Sequence, residues 1–208
     1  MDAVTALELL RAGNQRFVAH TVSLTSLISQ TQRAEHAREQ RPIAIIVGCS
    51  DARAPAEMIF DQGLGSLFIV RVAGNVVSPV IVGSVEFAAE RFGTSLVVVM
   101  GHTHCGAIAA AYEVETEAHA GLSDNLHQVV ERVRPAVRAA RADHPHVEPA
   151  AQKQAAAYIN VRNAAAQLRQ GSAVLERLIQ RDALVVVGAV YDLETGVVDF
   201  FDGVPAAT

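Results

Sequence analysis

The sequence has no tryptophan, and aromatic residues make up only 5% of its 208 positions. It has two cysteines, Cys49 and Cys105, which excludes a disulfide framework and leaves room for one bridge at most. Reduced thiols in a cytoplasmic setting are the expectation. No basic cluster occurs, and the formal net charge is −5 at pH 7. That balance argues against nucleic acid and against an anionic membrane surface as partners. The longest apolar runs have the length of strands and are too short to cross a bilayer. The N-terminal stretch "MDAVTALELLRAGNQRFVAH" carries acids early and lacks the ordered basic, apolar and small-residue regions of a secretion signal; it reads as an amphipathic helix.

Hydrophobic residues supply 50% of the chain, enough to bury a sizeable core in a single domain spanning 1–208. Short β-branched runs recur: "IAIIVG" (43–48), "SLFIVRV" (66–72), "SLVVVMG" (95–101) and "ALVVVGAVYDL" (183–193). Each is continuous rather than alternating, as in strands covered on both faces of a parallel sheet. Between them, 78–93 reads as a helix with Pro79 at its start and Gly93 at its end. Helical patterns also cover 123–141 and roughly 148–181, broken by "DHPHVEP". The tail "DLETGVVDFFDG" reads as a hairpin turning at Thr195–Gly196 and adding an antiparallel edge strand. The fold class is therefore α/β: a mainly parallel central sheet flanked by helices, with an N-terminal helical arm (1–40) and an antiparallel C-terminal edge strand. Because the arm has no core of its own, it is expected to pack on something else, a second subunit being one candidate.

In such folds ligands sit beyond the carboxyl ends of strands. Cys49, in "GCSDARAPAE", ends the first strand, and "VVVMGHTHCGA" places His102 and Cys105 just past another. Two thiolates and an imidazole are the ligand set of a tetrahedral, borderline-soft ion, and zinc fits best. Three protein ligands leave the fourth position open, the mark of a catalytic site; water or the Asp51 carboxylate could fill it. On an extended segment Arg53 projects to the same side as Asp51, where a bidentate pair would hold the carboxylate off the metal. Each piece alone has a plainer reading, as a buried thiol or a surface ion pair, but together they supply what each lacks. His104, adjacent to Cys105, is read as outside the ligand set. His144 and His146 read as a solvated loop, and "DQGLG" (61–65) as a turn.

Together "CSDARAPAE", "LFIVRVAGN" and "GHTHCGA" resemble the β-class carbonic anhydrases over about residues 40–110, and "VVGAVYDLETGVV" is similar to that family's last strands. The resemblance implies zinc-dependent, reversible hydration of carbon dioxide to bicarbonate and a proton. Cys49, His102 and Cys105 would hold one Zn2+ per chain, zinc-bound hydroxide would attack CO2, and the Asp51–Arg53 dyad would orient it. Asp51 is the candidate fourth ligand of a closed state. It further implies a dimer or tetramer with sites near the subunit interface. Gln40 would donate to substrate across that interface, Phe68 and Phe87 would line the apolar side of the pocket, and Gly106 would offer a backbone N–H. Arg71 and Tyr191 match two positions of an inhibitory bicarbonate site found in one subgroup, but Ile46 stands where its tryptophan would be. Three other readings share parts of the pattern: a relative acting on carbonyl sulfide or carbon disulfide, a zinc-stabilised scaffold with a closed site, and a redox pair of Cys49 with Cys105.

Overall fold

The four continuous apolar runs form the parallel part of one five-stranded sheet in the computed structural model, which describes residues 1–24, 37–116 and 121–206. In chain order the elements are α1 (Ala3–Val18), β1 (Ala44–Gly48), α2 (Ala56–Ile59), β2 (Leu67–Arg71), a 3-10 turn (Ala73–Asn75), α3 (Pro79–Phe92), β3 (Leu96–His102), α4 (Gly106–Thr116), α5 (Asp124–Asp143), α6 (Pro149–Gln170), α7 (Ala173–Gln180), β4 (Val185–Tyr191) and β5 (Val198–Asp202). The strand order is β2–β1–β3–β4–β5; the first four strands run parallel and β5 pairs antiparallel with β4.

Both faces of the sheet are covered at β1, β3 and β4, which is why these strands are apolar along nearly their whole length, whereas β2 ends in Arg71 and β5 carries Asp199 and Asp202. Ile46, Val98, Met100, Val187 and Ala189 face one buried cluster, while Ile45, Val47, Val97, Val99 and Val186 face the other. Burying one such side chain fully is worth roughly 1.5–3 kcal/mol. The second face is roofed by α3, α6 and α7 through Val85, Ala88, Val161, Ala165, Leu168 and Leu175. Pro79 opens α3, and Gly93 ends it at φ 63°, the left-handed conformation that suits glycine. The helical stretch expected over 148–181 is two helices. Gly171 and Ser172 divide it, and the Ser172 hydroxyl starts α7 by accepting from Leu175 N at 3.1 Å.

The N-terminal helix has core contacts within its own chain. Asp2 caps α1 by accepting from Thr5 N at 2.9 Å, and Ala3, Ala6, Leu7 and Leu10 point into the first cluster. Thus α1 packs on its own sheet. At Gly13 the contact with α2 is so close that a Cβ would lie 1.8 Å from the Phe60 carbonyl oxygen. Asn14 stitches the helix to the β4–β5 turn, donating to Gly196 O at 2.8 Å and accepting from Val198 N at 2.9 Å. Within the 1–40 segment, residues 25–36 lie outside the described residues.

Candidate active site

The chain runs from β1 to β2 on one side of the sheet, while β3 lies on the other side of β1, so a crevice opens beyond the carboxyl ends of β1 and β3. Gly48 pairs with Met100, so the two strands end nearly level. Cys49 follows β1, His102 closes β3 and Cys105 immediately precedes α4. Their ligand atoms lie within 4.8 Å of one another, and the three residues are 6%, 1% and 6% exposed respectively.

Among the described residues, His102 Nε2 is buried without a hydrogen-bond partner. An orphaned imidazole nitrogen beside two sulfurs is costly unless something binds it, and a metal ion does so. The donor set therefore fits zinc. Cys49 Sγ accepts from Gly74 N at 3.3 Å. The Cys49 thiol is held well below its ordinary pKa, chiefly by a hydrogen bond with Cys105 and against the cost of burial. Cys105 is pushed up by the same bond and by burial, although the N–H groups of Ala107 and Ile108 at the start of α4 work the other way.

Asp51 and Arg53 form the expected bidentate pair: Arg53 Nε reaches Oδ1 at 3.0 Å and Nη2 reaches Oδ2 at 2.8 Å, with Arg53 N on Oδ1 at 2.9 Å. Asp51 Oδ2 also lies 3.9 Å from His102 Nε2, so the carboxylate borders the ligand cluster. The Arg53 hydrogen bonds, opposed by burial, hold its carboxyl below the usual carboxylate range. Arg53 Nη2 also donates to the His104 carbonyl at 3.2 Å, tying the two halves of the crevice together. His104 itself points outward to Glu194, 3.2 Å away, and takes no part in the cluster.

Three supports were not legible as such in the sequence. Arg71 donates from Nε to Cys49 O at 2.8 Å and from Nη2 to Asp51 O, bracing the loop that carries both residues. Gly74 supplies the N–H to Cys49. Thr103 offers its carbonyl to His102 Nδ1 at 2.8 Å. The Arg71 and Gly74 contacts depend on the chain returning from another element, whereas Thr103 is the residue next to His102, so only "RVAGN" and "GHTHC" as quoted motifs hinted at them.

Within one chain Gln40, Phe68 and Phe87 are not brought to the metal cluster. Phe68 lies on β2 opposite Ile45, four residues and about 13 Å of strand before Cys49. Phe68, Phe87 and Phe92 pack ring to ring at the β2 edge, with centroids 5.6–6.2 Å apart, and Phe87 is 54% exposed. Gln40 lines a cleft of about 600 Å³ with Arg38, Arg91 and Phe92, near the start of β1 and away from Cys49. Gly106 opens α4 beside Cys105, and among the described residues a Cβ there would meet nothing within 4 Å. Its side-chain position is thus open, and what it offers is an N–H at a helix start.

A family model described as carbonic anhydrase matches residues 44–198. Over 202 residues the chain is 38% identical to carbonic anhydrase 2 of Mycobacterium tuberculosis, covering 94% of this chain and 91% of that one. It is 34% identical over 199 residues to the carbonic anhydrase of Mycolicibacterium smegmatis, covering 95% and 93%. Among solved structures, the β-carbonic anhydrase CafA of Aspergillus fumigatus matches with a TM-score of 0.75 at 26% identity, over 94% of this chain and 90% of that one.

Proposed function

The chain belongs to the β-carbonic anhydrase family and catalyses the zinc-dependent, reversible hydration of carbon dioxide, and from that premise we propose the part each of its residues plays. Cys49, His102 and Cys105 hold the ion. When bound, zinc supplies the Lewis acidity that brings deprotonation of a water into the neutral range. Asp51 accepts the hydrogen of the nucleophilic oxygen and thereby aims a lone pair at the CO2 carbon. Arg53 engages both oxygens of Asp51, which holds the carboxylate beside the site rather than on it and supports an open arrangement. Gly106 directs its backbone N–H toward the reacting oxygen from the start of α4. The observation that carries this reading is the buried Cys49–His102–Cys105 cluster, with its partnerless His102 Nε2 bordered by the clamped Asp51.

The apolar wall and the substrate-directed amide come from a second copy of the chain. Phe87 and Val80 are exposed side chains on α3, beside the open edge of β2, and Gln40 lies nearby. Phe87 and Gln40 are residues that one chain holds away from its own cluster and that a partner would receive. A homodimer or a multiple of it follows, working in the cytoplasm with both thiols reduced.

Stopped-flow hydration of CO2, with zinc measured on the same purified sample, tests the reading. About one zinc per chain with rapid hydration supports it. Zinc without hydration at or above neutral pH would sink the CO2 reading, and turnover of carbonyl sulfide would then identify the other heterocumulene substrate.

A further inference from the structure

Asn160, on α6, is 4% exposed and belongs to none of the contacts that define the site above. Its Nδ2 donates to the Gly74 carbonyl at 2.8 Å and lies 3.4 Å from Asn75 Oδ1. Gly74 in turn gives its own N–H to Cys49 Sγ. Residue 74 sits at φ 68°, and a Cβ there would lie 2.9 Å from Ala107 Cβ and 3.1 Å from Val133 Cγ2. The turn is therefore wedged between α4 and α5 and pinned from a third side by Asn160.

The fold delivers Asn160 to that place through its neighbour. Val161 packs against Gly101 of β3 and Gly188 of β4, where an added Cβ would come within 2.6 Å and 2.8 Å of its methyl groups. Two glycines thus let α6 sit low on the sheet, at the level of the residue that precedes His102.

We propose that Asn160 is a positioning residue for the zinc centre. By holding Gly74 it fixes the N–H that donates to the Cys49 sulfur, and so sets how tightly Cys49 holds the ion. Outer partners of this kind orient metal ligands, and their loss typically costs 10- to 100-fold in metal affinity. The inference rests on Cys49 being a zinc ligand.

The test compares Asn160→Ala and Asn160→Asp with Leu168→Ala, a fully buried residue of the same helix that does not touch the turn. Zinc affinity is read by competition with a chelator, and the thiolate-to-metal absorption bands are read on the cobalt-substituted protein. Both Asn160 variants should lose about 10- to 100-fold in zinc affinity and shift the cobalt–thiolate bands. Leu168→Ala should lower the Tm while keeping affinity and spectrum. Unchanged affinity in a folded Asn160 variant overturns the proposal. So does an equal loss in Leu168→Ala, because general loosening would then explain the effect. Should neither Asn160 variant fold, the wild type loaded with NMR-active cadmium decides. A scalar coupling between the Gly74 amide proton and the metal through the sulfur, together with slow exchange of the Asn160 side-chain amide protons held on Gly74 O, supports the proposal, and the absence of either overturns it. A wild type that takes up no zinc refutes the metal site and the proposal together, whereas indifferent Asn160 variants in a zinc-loading protein refute the proposal alone.

Discussion

His102 Nδ1 lies 2.8 Å from the carbonyl oxygen of Thr103, and a carbonyl can only accept. The proton therefore sits on Nδ1, and Nε2 keeps its lone pair for the metal. Thr103 is itself held by donating N–H to Tyr191 O at 3.0 Å and accepting from Leu193 N on Oγ1 at 3.0 Å. The imidazole is thus oriented before any ion arrives. His102→Ala, Cys49→Ser and Cys105→Ser should each lose zinc and hydration activity together, read by elemental analysis and stopped flow on one sample. A variant that kept full activity with its ligand removed would contradict the assignment.

On the proposed mechanism Asp51 and Arg53 act on the reaction and not on metal retention. Asp51→Asn should keep about one zinc per chain, since no ligand changes. Its hydration rate should fall by about 100-fold or more, the range for a positioned proton acceptor. Arg53→Lys replaces a two-pronged clamp by a point charge and should also slow turnover with zinc retained. An unimpaired Asp51→Asn enzyme would remove the dyad from the mechanism.

The parallel sheet was readable because β1, β3 and β4 are covered on both faces, which forces continuous apolar runs with no polar alternation. The ligand set was readable for a related reason: both cysteines and a histidine fall at strand ends, where the fold makes its crevice. Three other features could not be read this way. The docking of α1 on its own sheet depends on Gly13 meeting Phe60 and on Asn14 reaching residues 196 and 198, contacts with no local signature. The division of α6 from α7 rests on Ser172 capping, hidden in a stretch whose helical pattern continues across it. The bracing of Cys49 by Arg71 and Gly74 is likewise a matter of return of the chain, not of spacing.

A structural ion pair gives a pH prediction away from the metal. Asp61 is 4% exposed at its side chain and accepts from Arg16 Nε at 2.5 Å and from Ser23 N at 3.0 Å. Burial works against its charge, but these donors hold its pKa below the ordinary value. A depressed folded-state pKa contributes stability in full above the unfolded value, about 3.9, and loses it as the pH falls toward the folded value. Asp61→Asn should cost about 1–3 kcal/mol near neutrality. The gap to wild type should shrink below pH of about 4. Urea unfolding of the zinc-free proteins at a series of pH values reads this without interference from metal release. A gap that stayed constant down to the lowest pH would show that the carboxylate charge contributes nothing.

The proposed composite site predicts complementation between impaired chains. Gln40→Ala leaves the zinc ligands intact, and Cys49→Ser leaves Gln40 intact, so each homo-oligomer is impaired for a different reason. If Gln40 serves the neighbour's site, a mixed dimer has one complete site, and co-expressed chains should regain hydration activity above either parent. If Gln40 serves only its own chain, mixing restores nothing.

The seating of α6 is testable by a double-mutant cycle. Gly101→Ala would place a methyl 2.6 Å from Val161 Cγ2, with the Ala157 carbonyl farther off at 3.7 Å. Overpacking of this kind costs about 1–3 kcal/mol. Val161→Ala removes the obstructing methyl at its own cavity cost, so the two changes should not add. The double variant should be at least about 1 kcal/mol more stable than the sum of the singles implies, within the range for residues in direct contact. Strict additivity would mean that the helix is seated by other contacts. Zinc affinity measured across the same cycle separates packing from positioning. Gly101→Ala lifts the turn of α6 that carries Asn160, so it should weaken zinc binding, and Val161→Ala should restore affinity along with stability.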